Sequence, residues 1–300
     1  MKLSRSTFVL FLTPAVLLYA LIFLYPSLRT AFLSLFEVNS FSSTAEAQFR
    51  GFGNYRELFT TVVFQRSLIN IALTLLVGGM AVFGLSFLFT MFLTSGIRYK
   101  SFFRAAIFLP NVINLVAVAT VWVQYIYNSR YGFLHGFFNA LGLTSLAELE
   151  WTSNDLIFWA MLLTYIWVSV GVFTLIILAG AERIPVELFE AARLEGANMF
   201  QIFWSITLPL IRDVLRVASV LWTIGVINLF TLPIAFSPVG QTVGTYTPAV
   251  YLYELAFGAS TGVNQIRVGK AAAAGMVLLL LVLASSALIN RLFRSERYEY

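Results

Sequence analysis

The chain has 300 residues, 59% of them hydrophobic and only 11% charged, with a formal net charge of +5. Soluble domains carry roughly 25% charged residues, so this composition excludes a soluble globular enzyme, and it excludes disorder, which needs the opposite balance. With no Cys and a single His, His135, the chain has no means of building a disulfide, a thiolate zinc site or a His-rich metal or haem site; no catalytic residue, metal or cofactor is expected.

A membrane-crossing helix needs about 20 apolar residues, so the gaps between charged residues mark the spans. They predict six: 6–28, 67–97, 105–129, 156–181, 217–236 and 271–290. The first follows Lys2 and Arg5 but contains Pro14 and Pro26 and has no small-residue cleavage site after it, so it is expected to be a retained span and not a signal peptide. The fifth lies in a longer uncharged gap that also holds Pro233, Pro238 and Pro248, and only its first part is expected to span. The apolar runs are continuous, without the alternation of a β-barrel. The expected fold class is all-α and polytopic.

An even number of spans puts both termini on one side. With the termini inside, twelve of the 19 Lys and Arg fall on inner segments, as the positive-inside rule requires. The 98–104 loop, with Arg98, Lys100 and Arg104 and no acid, is the best single marker; Glu148, Glu150 and Asp155 fit the outside. The basic charge therefore reads as a membrane anchor, and no soluble basic face points to nucleic acid. Along the chain this divides into an N-terminal span (1–37), an extracytoplasmic loop (38–66), a transmembrane domain (67–293) and a cytoplasmic tail (294–300).

One inner segment, 182–209, is richer than a connection. Pro185 suits a first helical position, Glu187 and Glu190 suit the opening turns, and Gly196 suits a left-handed helix end. Asn198 suits the cap of a second helix, in which Met199, Ile202, Phe203 and Ile206 form one apolar stripe. Pro209 then begins or kinks the next helix. The pattern describes two short helices joined by a tight glycine turn at the membrane surface.

The string EAARLEGA at 190–197, with nine residues after Gly196 (197–205) and then Ile206, Leu208 and Pro209, resembles the EAA motif of ABC-importer permeases at every fixed position. Phe108-Leu109-Pro110, GFGNYRELF at 51–59 and GTYTPAVYLYELAF at 244–257 resemble the carbohydrate branch, similar to maltose and glycerol-phosphate permeases. The resemblance implies one peripheral N-terminal helix plus a five-helix permease core in a bacterial or archaeal cell (inner) membrane. It implies a dimer of ATP-binding subunits as a partner, docked on Glu190, Ala191, Ala192 and Gly196. It also implies a second homologous permease, expected to be a different chain, an extracytoplasmic solute-binding protein reaching the outer loops at 37–66 and 240–267, and membrane lipid around the spans. The nearest string to an ATP-binding loop, Gly262 to Lys270, has the wrong glycine spacing and ends on Ala271 where a Ser or Thr is needed.

No expected span has a central charge, which favours a neutral polar solute, such as a sugar or polyol, over ion coupling. The candidate substrate contacts are Asn111 and Asn114 in span three, Tyr165 and Ser169 at i, i+4 in span four, and Trp222, Asn228 and Thr231 in span five. Each is equally a residue type that belts the interface or packs helices. The same holds for Gly78, Gly79, Gly84, Gly171 and Gly180, which are given no functional role, and His135 is expected in an exposed loop. The alternative class, a stand-alone secondary transporter, calls for an internal repeat and intramembrane charges; neither is found. An intramembrane enzyme lacks a catalytic constellation.

Overall fold

The computed structural model describes residues 5–39, 47–237, 240–258 and 266–293. Lys2, Arg294, Arg297, the 294–300 tail and the Gly262–Gln265 part of the outer segment lie outside the described residues. The chain forms two compact units, one of Met1–Gln65 with Tyr251–Leu280 and one of Arg66–Val250 with Leu281–Tyr300.

In the first unit the helix α1 (Phe11–Leu33) is largely apolar, with Ser27, Arg29 and Thr30 near its end, and its apolar stretch is not buried within the protein. Lipid is as good a neighbour as leucine for such a helix. Its backbone widens into a π turn at Ala20–Leu24, two residues before Pro26. A proline inside a helix removes one hydrogen bond and crowds the carbonyl four residues back, and a π turn there relieves both. A two-stranded ribbon, β1 (Phe36–Glu37) and β2 (Gln48–Phe49), pairs Phe36 with Phe49. The short helix α2 (Gly53–Thr60) is pinned beside it: Asn54 Nδ2 donates to the Ser34 and Phe36 carbonyls at 2.9 and 2.8 Å, and the Tyr55 hydroxyl donates to Ser34 Oγ at 2.8 Å.

α2 also carries Glu57, the hub of an ion network. Its Oε1 accepts from Arg267 Nη1 at 2.6 Å and Lys270 Nζ at 3.1 Å, and its Oε2 accepts from Arg50 Nη1 at 2.9 Å. Lys270 is only 6% exposed. An ammonium so buried is costly unless paired, and Glu57 supplies the pair. Burial raises the Glu57 carboxyl, but Lys270, Arg50 and Arg267 outweigh it and hold it below the usual carboxylate range.

The second unit is built round α7 (Ile157–Ala181), a 25-residue helix with 61% of its most apolar window buried. It packs on the latter part of α3 (Val62–Thr94) and on α4 (Lys100–Val112). Ser86 Oγ donates to the Val170 carbonyl at 3.2 Å. At Gly171 an added Cβ would stand 2.5 Å from the Ile107 carbonyl oxygen, so only glycine allows α4 this close. Gly84, by contrast, faces open space.

α4 stops at Ile113, whose ψ of 137° is extended, and α5 (Leu115–Ile126) leaves at 92°. The expected third span is thus a bent pair and not one rod. The expected fifth span is also broken. α10 (Arg212–Ile227) ends at Asn228 and the chain restarts as α11 (Thr231–Phe236), around Pro233. Among the described residues four helices are long and apolar enough to cross a membrane: α1, α3, α7 and the last helix, Val268–Leu292. The α4–α5 pair is a fifth candidate. His135 does not lie in an open loop. It sits half-buried on α6 (Phe133–Ala140), where Nδ1 bonds the Ala147 carbonyl at 3.0 Å and Nε2 meets Asn139 Nδ2 at 3.2 Å.

The Glu57 network predicts a pH dependence. A depressed carboxyl contributes stability above its unfolded value and loses it as pH falls through its folded one. Glu57→Gln should melt at lower temperature than wild type near neutrality, and the gap should close as pH falls below about 4. Thermal unfolding of the purified protein across that range is the measurement; a gap that stays constant refutes the linkage.

Candidate functional site

Two features carry chemistry. The first is the 182–209 segment. Its first helix, α8 (Val186–Leu194), begins after Pro185, which caps it from outside, one position earlier than the first helical position expected. Glu187 sits in the opening turn and Arg193 in the last, both with the helix dipole. The end is a double closure: Gly196 N donates to the Arg193 carbonyl at 3.0 Å and Ala197 N to the Ala192 carbonyl at 2.9 Å. Gly196 stands at φ +82° to make it, as the glycine at this position must. Asn198 caps the second helix, α9 (Met199–Leu210), in a reciprocal box. Its Oδ1 accepts from Gln201 N at 2.9 Å, and Asn198 N donates to Gln201 Oε1 at 2.8 Å.

α9 widens into a π turn at Phe203–Thr207, two residues before Pro209, as α1 does before Pro26. Its apolar stripe holds the hairpin down. Phe203 is buried, Ile202 and Ile206 are half-buried, and Met199 lies at the edge. A cavity of about 170 Å³ between Met91 and Thr94 of α3 and Phe189, Arg193 and Phe203 separates the two layers. The outer side is different. Glu190, Ala191 and Gly196 are exposed, and Ala192 is half-buried. Leu194 is 89% exposed, and on α9 Phe200 and Trp204, with ring centroids 5.7 Å apart, are exposed as well. Large exposed apolar side chains mark an interaction surface, with a protein or with the membrane.

The second feature is the pair of helix breaks at 113–114 and 228–230. α5 packs on α11 through Leu115, Ala119, Leu229 and Leu232. Each break has its own caps. Asn114 Oδ1 accepts from Val116 N at 2.8 Å, Asn228 Nδ2 donates to the Ile224 carbonyl at 2.9 Å, and Thr247 Oγ1 donates to the Leu229 carbonyl at 2.6 Å. Asn111, Asn114, Asn228 and Thr231 are all exposed at these breaks.

The other three expected contacts are elsewhere and differently employed. Trp222 is 4% exposed; it stacks on Tyr165 with centroids 5.5 Å apart and meets Phe173 edge-on. Its Nε1 donates to the Leu75 carbonyl at 3.2 Å, over Gly78 and Gly79, which leave room for the indole. Ser169 is buried, one helical turn from Tyr165 on α7. In this conformation these residues lock α3, α7 and α10 together. The residue sequence reasoning missed is Glu182. Its carboxylate accepts from Lys100 Nζ at 2.9 Å and faces Arg104 Nη1 at 3.8 Å, tying the end of α7 to the first turns of α4. The run of bases at 98–104 was the available signal, but as a topology marker it named no partner.

A family described as binding-protein-dependent transport system inner membrane component matches residues 86–298, the 182–209 segment included. The chain belongs to that family. Among its relatives, a probable ABC transporter permease of Bacillus subtilis, YurN, is 32% identical over 97% of each chain. The sulfoquinovosyl glycerol transport system permease SmoG of Agrobacterium fabrum is 29% identical over 98% of this chain and 92% of its own. A chain of a bacterial alginate ABC transporter, solved in complex with an alginate pentasaccharide-bound periplasmic protein, shares the fold. It has a TM-score of 0.76 at 22% identity and covers 98% of this chain and 97% of its own. The chain is thus a membrane-embedded permease component and not itself an ATPase; ATP hydrolysis belongs to separate subunits of such importers.

The packing of Trp222 yields a test. Trp222→Ala should cost about 3–5 kcal/mol of stability, whereas Trp222→Phe, which keeps the stack and loses one hydrogen bond, should cost about 1 kcal/mol. Thermal melts of the purified permease read both. An unchanged melt for Trp222→Ala together with lost solute binding would make Trp222 a solute contact.

Proposed function

We propose that this permease carries a sugar or related polyol by alternating access, with the helix breaks at 113–114 and 228–230 lining the path. Non-helical backbone at membrane depth is tolerated where it is buried or lines a water-filled cavity. Asn111, Asn114, Asn228 and Thr231 are neutral, exposed hydrogen-bonding groups at those breaks, suited to hydroxyls and not to ions. Tyr165, Ser169 and Trp222 join the path if the stack that buries them opens during the cycle. The sugar assignment draws on SmoG and on the alginate importer.

The same reading gives the remaining partners. Glu190, Ala191, Ala192 and Gly196 dock on one member of an ATP-binding subunit dimer. A second homologous permease, different from this chain, docks on the other, because this chain carries one such segment. An extracytoplasmic binding protein delivers the solute to the outer face. Both termini, the 98–104 turn and the 182–216 segment face the cytoplasm. A secondary transporter would leave the exposed, doubly capped hairpin without a purpose.

The observation that carries the reading is that hairpin: a turn fixed by Gly196 at φ +82°, held to the helix bundle by one face and open on the other. An added Cβ at Gly196 meets nothing within 4 Å, so a substitution there costs only backbone strain, about 1–2 kcal/mol for most side chains. Gly196→Asn, which tolerates a left-handed backbone, should retain most transport. Gly196→Asp, adding a charge beside Glu195 on the docking face, should abolish it while the protein still inserts. ATPase co-purification and solute-stimulated ATP hydrolysis measure this. Normal association and turnover in Gly196→Asp would reduce the segment to a connecting hairpin.

A further inference from the structure

The turn between α3 and α4 holds more charge than a connection needs. Arg98, Lys100 and Arg104 fall within seven residues without an acid. Lys100 and Arg104 share the single carboxylate of Glu182, and Arg98 is exposed and makes no ion pair among the described residues. α4 begins here with no acidic residue in its first turn and no side-chain cap, so its free N–H groups add to the positive field. Tyr99, just before it, is held at φ +61° and is 77% exposed. A non-glycine residue in that region is strained, and an exposed tyrosine suits the membrane interface.

Directly beside this turn lies a groove of about 380 Å³ between the end of α3 and the start of α4. It is lined by Phe89, Phe92, Leu93, Ile97, Phe103 and Ile107, all apolar. A single acyl chain, unbranched and flexible, can follow an open groove with this wholly apolar lining. Apolar groove and cationic rim together have the chemistry of one kind of ligand.

We propose that this groove and rim form a specific site for an anionic phospholipid. One acyl chain lies in the groove, and the headgroup phosphate sits against Arg98, Lys100 and the start of α4. The excess of cations over Glu182 selects an anionic headgroup over a zwitterionic one. The leaflet follows from the cytoplasmic placement of the 98–104 turn proposed above, which is the side where membranes present anionic lipid. A lipid bound there touches the Lys100–Glu182 pair, and so the junction between α7 and the docking hairpin.

The test uses the purified transporter complex titrated with phosphatidylglycerol or phosphatidylcholine of equal chain length, with bound lipid counted by native mass spectrometry. Preferential retention of phosphatidylglycerol is expected. Arg98→Gln should weaken it about fivefold and leave phosphatidylcholine unchanged, while Ile107→Trp, which fills the groove, should weaken both. Arg98→Gln lies on the surface and carries the test alone if Ile107→Trp fails to assemble. Equal retention of the two lipids by wild type overturns the proposal. So does a cross-link from Phe103→Cys to a second permease subunit in native membranes, which would put a protein in the groove. Labelling of Tyr99→Cys by an impermeant maleimide from outside intact cells overturns the leaflet and the proposed orientation, and leaves the headgroup preference to be scored by itself.

Discussion

A break in a membrane helix leaves backbone N–H and C=O groups without their helical partners, and each one left unsatisfied costs several kcal/mol. That constraint organises this protein. Where α4 stops, Asn114 caps the next helix. Where α10 stops, Thr247, 18 residues on from Leu229, donates to the Leu229 carbonyl. Where prolines interrupt α1 and α9, a π turn two residues earlier absorbs the fault. Asn70 Nδ2 donates to the carbonyls of Val243 and Tyr246, both at 2.9 Å, so an irregular loop gains its partners from α3. A soluble protein leaves such repairs to water. Here they are made by side chains, and their positions show where the chain had reason to be irregular.

Charge obeys the same rule at the ends of the helices. The ion networks gather in two places, each round a carboxylate hub: Glu57 among three cations, and Glu182 between two. Exposed surface pairs contribute little, typically under about 1 kcal/mol, so Glu182 with its two half-exposed partners is better understood as a register pin than as a source of stability. Glu57 differs because Lys270 is buried. Removing the carboxylate there strands a charge, and that is where a single substitution has a large effect.

Charge gaps in the sequence were sufficient to locate α1, α3, α7 and the final helix, because hydropathy reports burial in lipid directly. The hairpin at 186–210 was also legible, down to its glycine turn and asparagine cap, because caps are local chemistry written in three or four adjacent residues. Hydropathy could not see the bends at 113–114 and 228–230. The helices on either side of each break are both apolar, and the groups that satisfy the freed backbone include Thr247, 18 residues on and outside the expected span. The candidate solute contacts divided for the same reason. Asn, Tyr, Ser and Trp read alike in a sequence, but only packing distinguishes Asn228 at an open break from Trp222 wedged over Gly78 and Gly79. Glu182 was invisible because its partners lie about eighty residues earlier and were counted only for their sign.

The arrangement also gives the proposed coupling a mechanical form. α7 ends at Glu182, and α8 begins four residues later, so whatever moves the hairpin moves the end of the most buried helix. Gly171 lets α4 lie against α7 at backbone distance, and Glu182 fastens the start of α4 to the same end. A close-packed pair fastened in this way transmits displacement instead of absorbing it, because packed interiors deform little. The absorbing points are then the places without a helical hydrogen-bond ladder, at 113–114 beyond α4 and at 228–230 beyond α10. Those are the positions where the neutral polar side chains are exposed. In the proposed cycle, a lever whose stiff part runs from the docking hairpin through α7 and α4 bends at its soft part, which coincides with the candidate solute contacts.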